Sequence, residues 1–99
     1  MRMMLKVMIP TDAGNRAIED GSLLKVLDSA MSTLKPEASY FLAEGGIRTA
    51  MIFFDMTDSA DIPSIVEPLF MGIEAEIELL PVMNAEDLRK GLKAAMDTM

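Results

Sequence analysis

The chain has no cysteine, no histidine and no tryptophan, and it carries a single tyrosine. Without cysteine there is no disulfide and no thiolate nucleophile, and cytoplasmic residence is the expectation. Without histidine the usual general base, zinc ligand and proximal haem ligand are all missing, so no metal and no cofactor are expected. Basic residues are also scarce: nine Lys and Arg face sixteen Asp and Glu, for a net charge of −7. Nucleic acid is a poor partner for such a chain, because phosphate binding needs a basic face. Apolar runs are short and interrupted by charge, which argues against a membrane span. The opening MRMMLKVMIPTD starts with a basic residue, but Lys6 breaks its apolar stretch and no small-residue cleavage site follows. It reads as a first strand and not as a signal peptide. Dinucleotide, P-loop and nucleophile-elbow motifs are absent as well.

What is present is apolar: 51% of the 99 residues are hydrophobic and 11 are methionine. That length suits one domain spanning residues 1–99, and a domain of this size hides only about 60–70% of its unfolded surface. Covering by a second chain is therefore a natural supplement. Methionine fills irregular gaps in cores and also makes adaptable surfaces for apolar partners.

The segment Ile47 to Met56 carries the most information. Its alternation puts Ala50, Ile52 and Phe54 on one side and Met51 and Phe53 on the other, a strand that is greasy on both faces. Met3 to Ile9 behaves similarly, with Leu5, Val7 and Ile9 opposite Met4, Lys6 and Met8. Pro10 ends that strand, and Thr11 or Asp12 is placed to cap the following helix. The helix stripe is predicted through Ala17, Leu24, Leu27, Met31 and Leu34. One rod from Ala13 to Leu34 measures about 33 Å, against about 23 Å for a seven-residue strand. A break is expected at Asp20-Gly21-Ser22, with Ser22 capping the second half.

Glu37 to Ala43 is the second strand, and Gly45-Gly46 supplies positive φ for a hairpin into the third. Asp58 or Ser59 caps a second helix whose stripe is Ile62, Ile65, Val66, Leu69 and Phe70. Pro68 is expected to bend or shorten it, and Gly72 to mark its end. Ala75 to Val82 is a fourth strand with one wet face bearing Glu76 and Glu78. Asn84 and Asp87 have the spacing of a capping box for a last helix through Leu88, Leu92 and Ala95.

The order β-α-β-β-α-β plus a terminal helix points to an α+β, ferredoxin-like sandwich with antiparallel sheet order 4-1-3-2. The charge pattern agrees, since the two strands placed centrally are apolar on both sides while the edge strand carries glutamates. Helices cover one face of such a sheet. The other leaves four or five large groups, drawn from the Met4, Met8, Met51 and Phe53 set or from its opposite; the first set is taken as the expected dimer interface. Burying each is worth ~1.5–3 kcal/mol, against an association cost of about 4–15 kcal/mol. The competing expectation is that the terminal helix folds back over this face.

In the 4-1-3-2 arrangement one end of the sheet gathers Asp12, Asn15, Arg16, Glu44, Arg48, Glu74 and Glu76. A helix N-terminus beside Asn15, Arg16 and Arg48 is a reasonable seat for a carboxylate or phosphate. The competing reading is that the arginines simply pair with local glutamates. The other end is expected to collect Tyr40, Asp55, Asp58 and Asp61; the phenol of Tyr40 is a candidate for orienting a ligand or supplying a proton. The three aspartates lack the glycine turn and distal glutamate of a calcium loop.

Together, TDAGNRAIEDGSL, KPEASYFLAEGGIRTAMIFFDM, IPSIVEPLF and ELLPVMNAEDLRKGL resemble a family of small, functionally uncharacterised bacterial proteins. That family has a ferredoxin-like fold and lies within the dimeric α/β-barrel group, beside muconolactone isomerases, antibiotic-biosynthesis monooxygenases and stress-responsive barrel proteins. The resemblance implies a homodimer with sheets face to face and a pocket between each sheet and its helices. It carries over no catalytic residue, because the monooxygenase and haem-handling relatives commonly use His or Trp.

Three functions fit these readings. The first is a homodimeric module binding a small, partly apolar organic acid through Asn15, Arg16, Arg48 and Tyr40. The second is a cofactor-independent isomerase or monooxygenase using Tyr40 or a glutamate with a raised pKa. The third is an interaction module without a ligand.

Overall fold

Alternation in the first and third strands organises everything else. In the computed structural model, which describes residues 1–99, the order is β1 (Arg2–Ile9), α1 (Thr11–Glu19), α2 (Ser22–Leu34), β2 (Ala38–Glu44), β3 (Ile47–Asp55), α3 (Ile62–Ile73), β4 (Glu76–Pro81) and α4 (Ala85–Asp97). A 3₁₀ turn at Ser59–Asp61 precedes α3. This is an α+β fold with a four-stranded antiparallel sheet and four helices, compatible with a ferredoxin-like arrangement. Across the sheet the strands run β2-β3-β1-β4, which is 4-1-3-2 counted from the β4 edge.

The register divides the side chains cleanly. Met3, Leu5 and Val7 lie opposite Phe54, Ile52 and Ala50, and this face is sealed by the helices. With Leu69 and Ile73 of α3 they form one core, packed by Leu23, Val26, Ala30, Met31 and Leu34 of α2. On the reverse face Met4 lies opposite Phe53, Lys6 opposite Met51 and Met8 opposite Thr49. Tyr40 continues the Met51 row onto β2, and Leu80 continues the Met4 row onto β4. No helix covers this reverse face.

Local chemistry explains the element ends. The break between α1 and α2 falls at Gly21, whose φ of 80° suits glycine. The amide of Ser22 donates to the Asp20 carboxylate at 2.8 Å. The Ser22 hydroxyl and amide hold that carboxyl below its ordinary range. Asp20, not Ser22, therefore ties the start of α2. Neither Thr11 nor Asp12 caps α1: Pro10 takes the cap position with no side-chain bond. Asp58 accepts from the Ala60 amide, and the Asn84–Asp87 capping box forms in both directions.

Two stripes differ from their expected composition. Leu27, Met31 and Leu34 of α2 are partly buried as expected, but Leu23 and Val26 complete the stripe in place of Leu24, which stands 69% exposed. In α3, Ile73 completes the buried stripe and Phe70 is 40% exposed. The helix runs through Pro68 and past Gly72 to Ile73, ending at Glu74 with a positive φ of 53°. Gly72 has a packing role instead, since a Cβ there would sit 3.0 Å from a Val26 methyl. β2 and β4 also start one residue later than expected.

α4 does not fold back over the open face. Every residue from Met83 to Met99 is exposed. The radius of gyration is 15.9 Å, with extents of 55 × 29 × 19 Å, whereas a compact chain of this length measures about 13 Å.

These burials set an order of mutational cost. Leu69→Ala, at a fully buried position, should lose about 2–5 kcal/mol, and Leu24→Ala should stay within about 0.5 kcal/mol. Urea unfolding of both variants checks the phase of α2; equal losses would contradict it.

Candidate functional site

The anchor residues proposed from sequence separate into two groups. Arg48, near the start of β3, reaches the first turns of α1: one Nη donates to Asn15 Oδ1 at 3.0 Å and the other to the Thr11 carbonyl at 3.4 Å. Gly14 makes room for it, because a Cβ at that position would sit 2.5 Å from Arg48 Nη1. Arg16 points elsewhere and pairs with Glu74 at 2.8 Å. Asn15 and Arg48 are thus brought together, while Arg16 is taken by a surface carboxylate. Tyr40 lies on the open sheet face opposite Met51, away from both arginines.

Arg48 is the one arginine in the strands that has no carboxylate partner; Arg2 holds Glu37 and Asp87. It also lines an open hollow of about 210 Å³ between the sheet and α2, whose other walls include Ile9, Leu23, Leu27, Phe41 and Ala50. Arg48 supplies the only formal charge in that lining. An apolar hollow with one unneutralised guanidinium is chemically suited to an organic anion with an apolar body.

A second groove, about 220 Å³, runs between α2 and α3. Close approach at Val26 and Gly72 pins these helices, and the groove is lined by Lys25, Ser29, Thr33, Ser64, Ile65 and Pro68. Its Ser64 hydroxyl is already spent on the Asp61 carbonyl at 2.9 Å. We weight the smaller hollow more heavily, because it holds a charge positioned by two hydrogen bonds.

All sixteen carboxylates are exposed, and the only buried polar side chain is Thr49, whose hydroxyl donates to the Ile47 carbonyl at 2.9 Å. Asp55 and Asp58 have structural duties: Asp55 accepts from the Met1 amino group at 2.6 Å, and Asp58 caps the 3₁₀ turn, while the Asp61 carboxylate makes no bond within the chain. No group of three or more His, Cys, Asp or Glu is placed to hold a metal ion. No helix is long and apolar enough to cross a membrane.

Sequence reading overlooked two residues of consequence. Gly14 is one, since nothing in its neighbours along the chain signals its close approach to Arg48. Lys6 was legible as the one charge in the Met4–Lys6–Met8 row, but not its partner. Lys6 reaches across β3 to Glu44 at 2.9 Å, and its side chain remains only 15% exposed. No family model matches the chain, and no curated protein matches it.

The Lys6–Glu44 pair has a definite pH signature. The hydrogen bond to Glu44 holds the ammonium above the ordinary lysine value of 10.5, helped by the nearby charge of Glu78. A raised pKa gives stability that is complete below the unfolded value and disappears as pH rises through the folded one. The fall in melting temperature above about pH 10.5 should therefore be shallower in Lys6→Met than in the native chain. Identical alkaline slopes would remove the pair as a contributor.

Proposed function

We propose that the protein is a homodimeric, ferredoxin-like binding module for a small organic acid with an apolar body. The observation that carries this reading is Arg48, oriented by Asn15 and the Thr11 carbonyl, without a carboxylate partner and in the wall of an apolar hollow. The guanidinium meets the anion, and Ile9, Leu23, Leu27 and Phe41 meet the rest. Tyr40 and Arg16 are not part of this seat. Tyr40 belongs instead to the sheet face that the dimer covers, together with Met4, Met8, Met51 and Phe53. The resemblance to the dimeric α/β-barrel group supports packing of two sheets face to face. The chain's uniformly exposed carboxylates favour binding over catalysis, because none is held in an apolar pocket.

A thermal-shift series with aryl and alkyl carboxylates tests the seat. Ligand at ten times its dissociation constant stabilises by about 1.4 kcal/mol, which corresponds to roughly 6–11 °C in melting temperature for a domain of this size. The shift should vanish in Arg48→Gln. It should shrink in Gly14→Ala, where the new methyl displaces the guanidinium from Asn15 without removing its charge, and persist in Arg16→Ala. Loss in Arg16→Ala with retention in Arg48→Gln would invert the assignment.

A further inference from the structure

The C-terminal helix is an unpaired element with a built-in direction. The link from β4 is only Val82-Met83-Asn84, and three interactions fix how it leaves the body. The Val82 amide donates to the Arg2 carbonyl at 3.1 Å, Arg2 pairs with Asp87 at 3.1 Å, and the capping box closes the first turn. α4 is thus held off its own sheet by specific bonds. Yet Leu88, Leu92 and Met96 share one stripe of it at helical spacing, and all three are exposed. An amphipathic helix of about 20 Å gains little from standing in water with its apolar side uncovered.

Charge singles out where that stripe fits. Arg89, Lys90 and Lys93 of α4 have no carboxylate partner in the chain. Glu76 and Glu78, on the open face of edge strand β4, form no ion pair within 4.0 Å, although Lys6 stands opposite Glu78 and feels its charge. They stand in line with Leu80 on that face, an apolar group beside two carboxylates. Arg89 and Lys93 flank the Leu88–Leu92 stripe, so one side of α4 matches this margin in both polarity and sign. The opposite margin of the sheet is less suited, since its Glu44 is occupied by Lys6.

We infer that α4 is a clasp between two copies of the chain. Its Leu88–Leu92–Met96 stripe packs against Leu80 at the β4 margin of the partner's open sheet face, and Arg89 and Lys93 meet Glu76 and Glu78 there. The central methionines and Phe53 are left to the sheet-to-sheet contact. The inference rests on the homodimer proposed above and specifies how the dimer is locked.

The absence of cysteine makes the test direct. Leu92→Cys and Leu80→Cys are prepared as separate chains, refolded together in equal amounts and treated with a short bismaleimide, with masses followed by light scattering. The expected result is a crosslinked pair containing one chain of each kind, in clear excess over either self-linked pair. Deleting residues 84–99 should weaken dimerisation by about tenfold or more while leaving the fold's circular dichroism otherwise intact. A dimer that gives no mixed product, or that survives the deletion with unchanged affinity, overturns the clasp and leaves the dimer standing. A chain that stays at 10.8 kDa throughout removes both.

Discussion

The pairing of β1 with β3 is the constraint on which the rest of this protein depends. Both strands are central, and apart from Lys6 and Thr49 both carry apolar groups on two sides, so the middle of the sheet is apolar on its open face as well as its covered one. Leu5, Val7, Ile52 and Phe54 satisfy one side by meeting α1, α2 and α3, and there the burial is complete. On the other side Met4, Met8, Met51 and Phe53 are only half-buried by one another. A four-stranded sheet with three helices on one face has no element left to cover the second, because α4 is tied outward by Arg2 and Asp87. The open face is therefore a consequence of how short chains divide their helices, and assembly is the economical answer to it.

Much of this was legible from alternation alone. Period-two patterning in Met3–Ile9 and Ile47–Phe54 gives the register of the two central strands, and the glutamates of β4 identify an edge. Gly45 and Gly46 take the positive φ that the hairpin suggested, and the expected helix break falls at Gly21, which also has a positive φ. The errors arose where tertiary packing overrides a local pattern. In α2 the packed stripe takes in Leu23 and Val26 and leaves Leu24 outside, a difference at one position that spacing alone does not resolve. Gly72 looked like a stop, but it is a point of contact between α2 and α3 that needs a missing side chain. Phe70, for all its bulk, yields its place to Ile73 because the stripe has to follow the sheet.

The site was half legible for a similar reason. Topology brings the start of β3 beside α1, so Asn15 and Arg48 were recognisable as neighbours before any distance was known. Which arginine stays free of carboxylates is decided by side-chain reach, and a sequence does not display that. Arg16 finds Glu74 on the short turn after α3, whereas Arg48 passes over Gly14 and meets an amide and a carbonyl, neither of which neutralises it. Lys6 illustrates the same physics on the open face: a cation among methionines is tolerable because it reaches two strands away to Glu44. Of the nine Lys and Arg only Arg2, Lys6 and Arg16 are paired with a carboxylate; Arg48 differs from the other unpaired cations in being fixed by two hydrogen bonds to neutral groups.

The solution mass of the native chain, measured by light scattering from micromolar to millimolar concentration, tests the account most directly. An uncovered β-face predicts a particle of twice 10.8 kDa across that range, falling toward the single-chain mass when Met51 is replaced by Asp. A native particle that remains at 10.8 kDa at the highest concentration would show that this face tolerates water, and the account would fail with it.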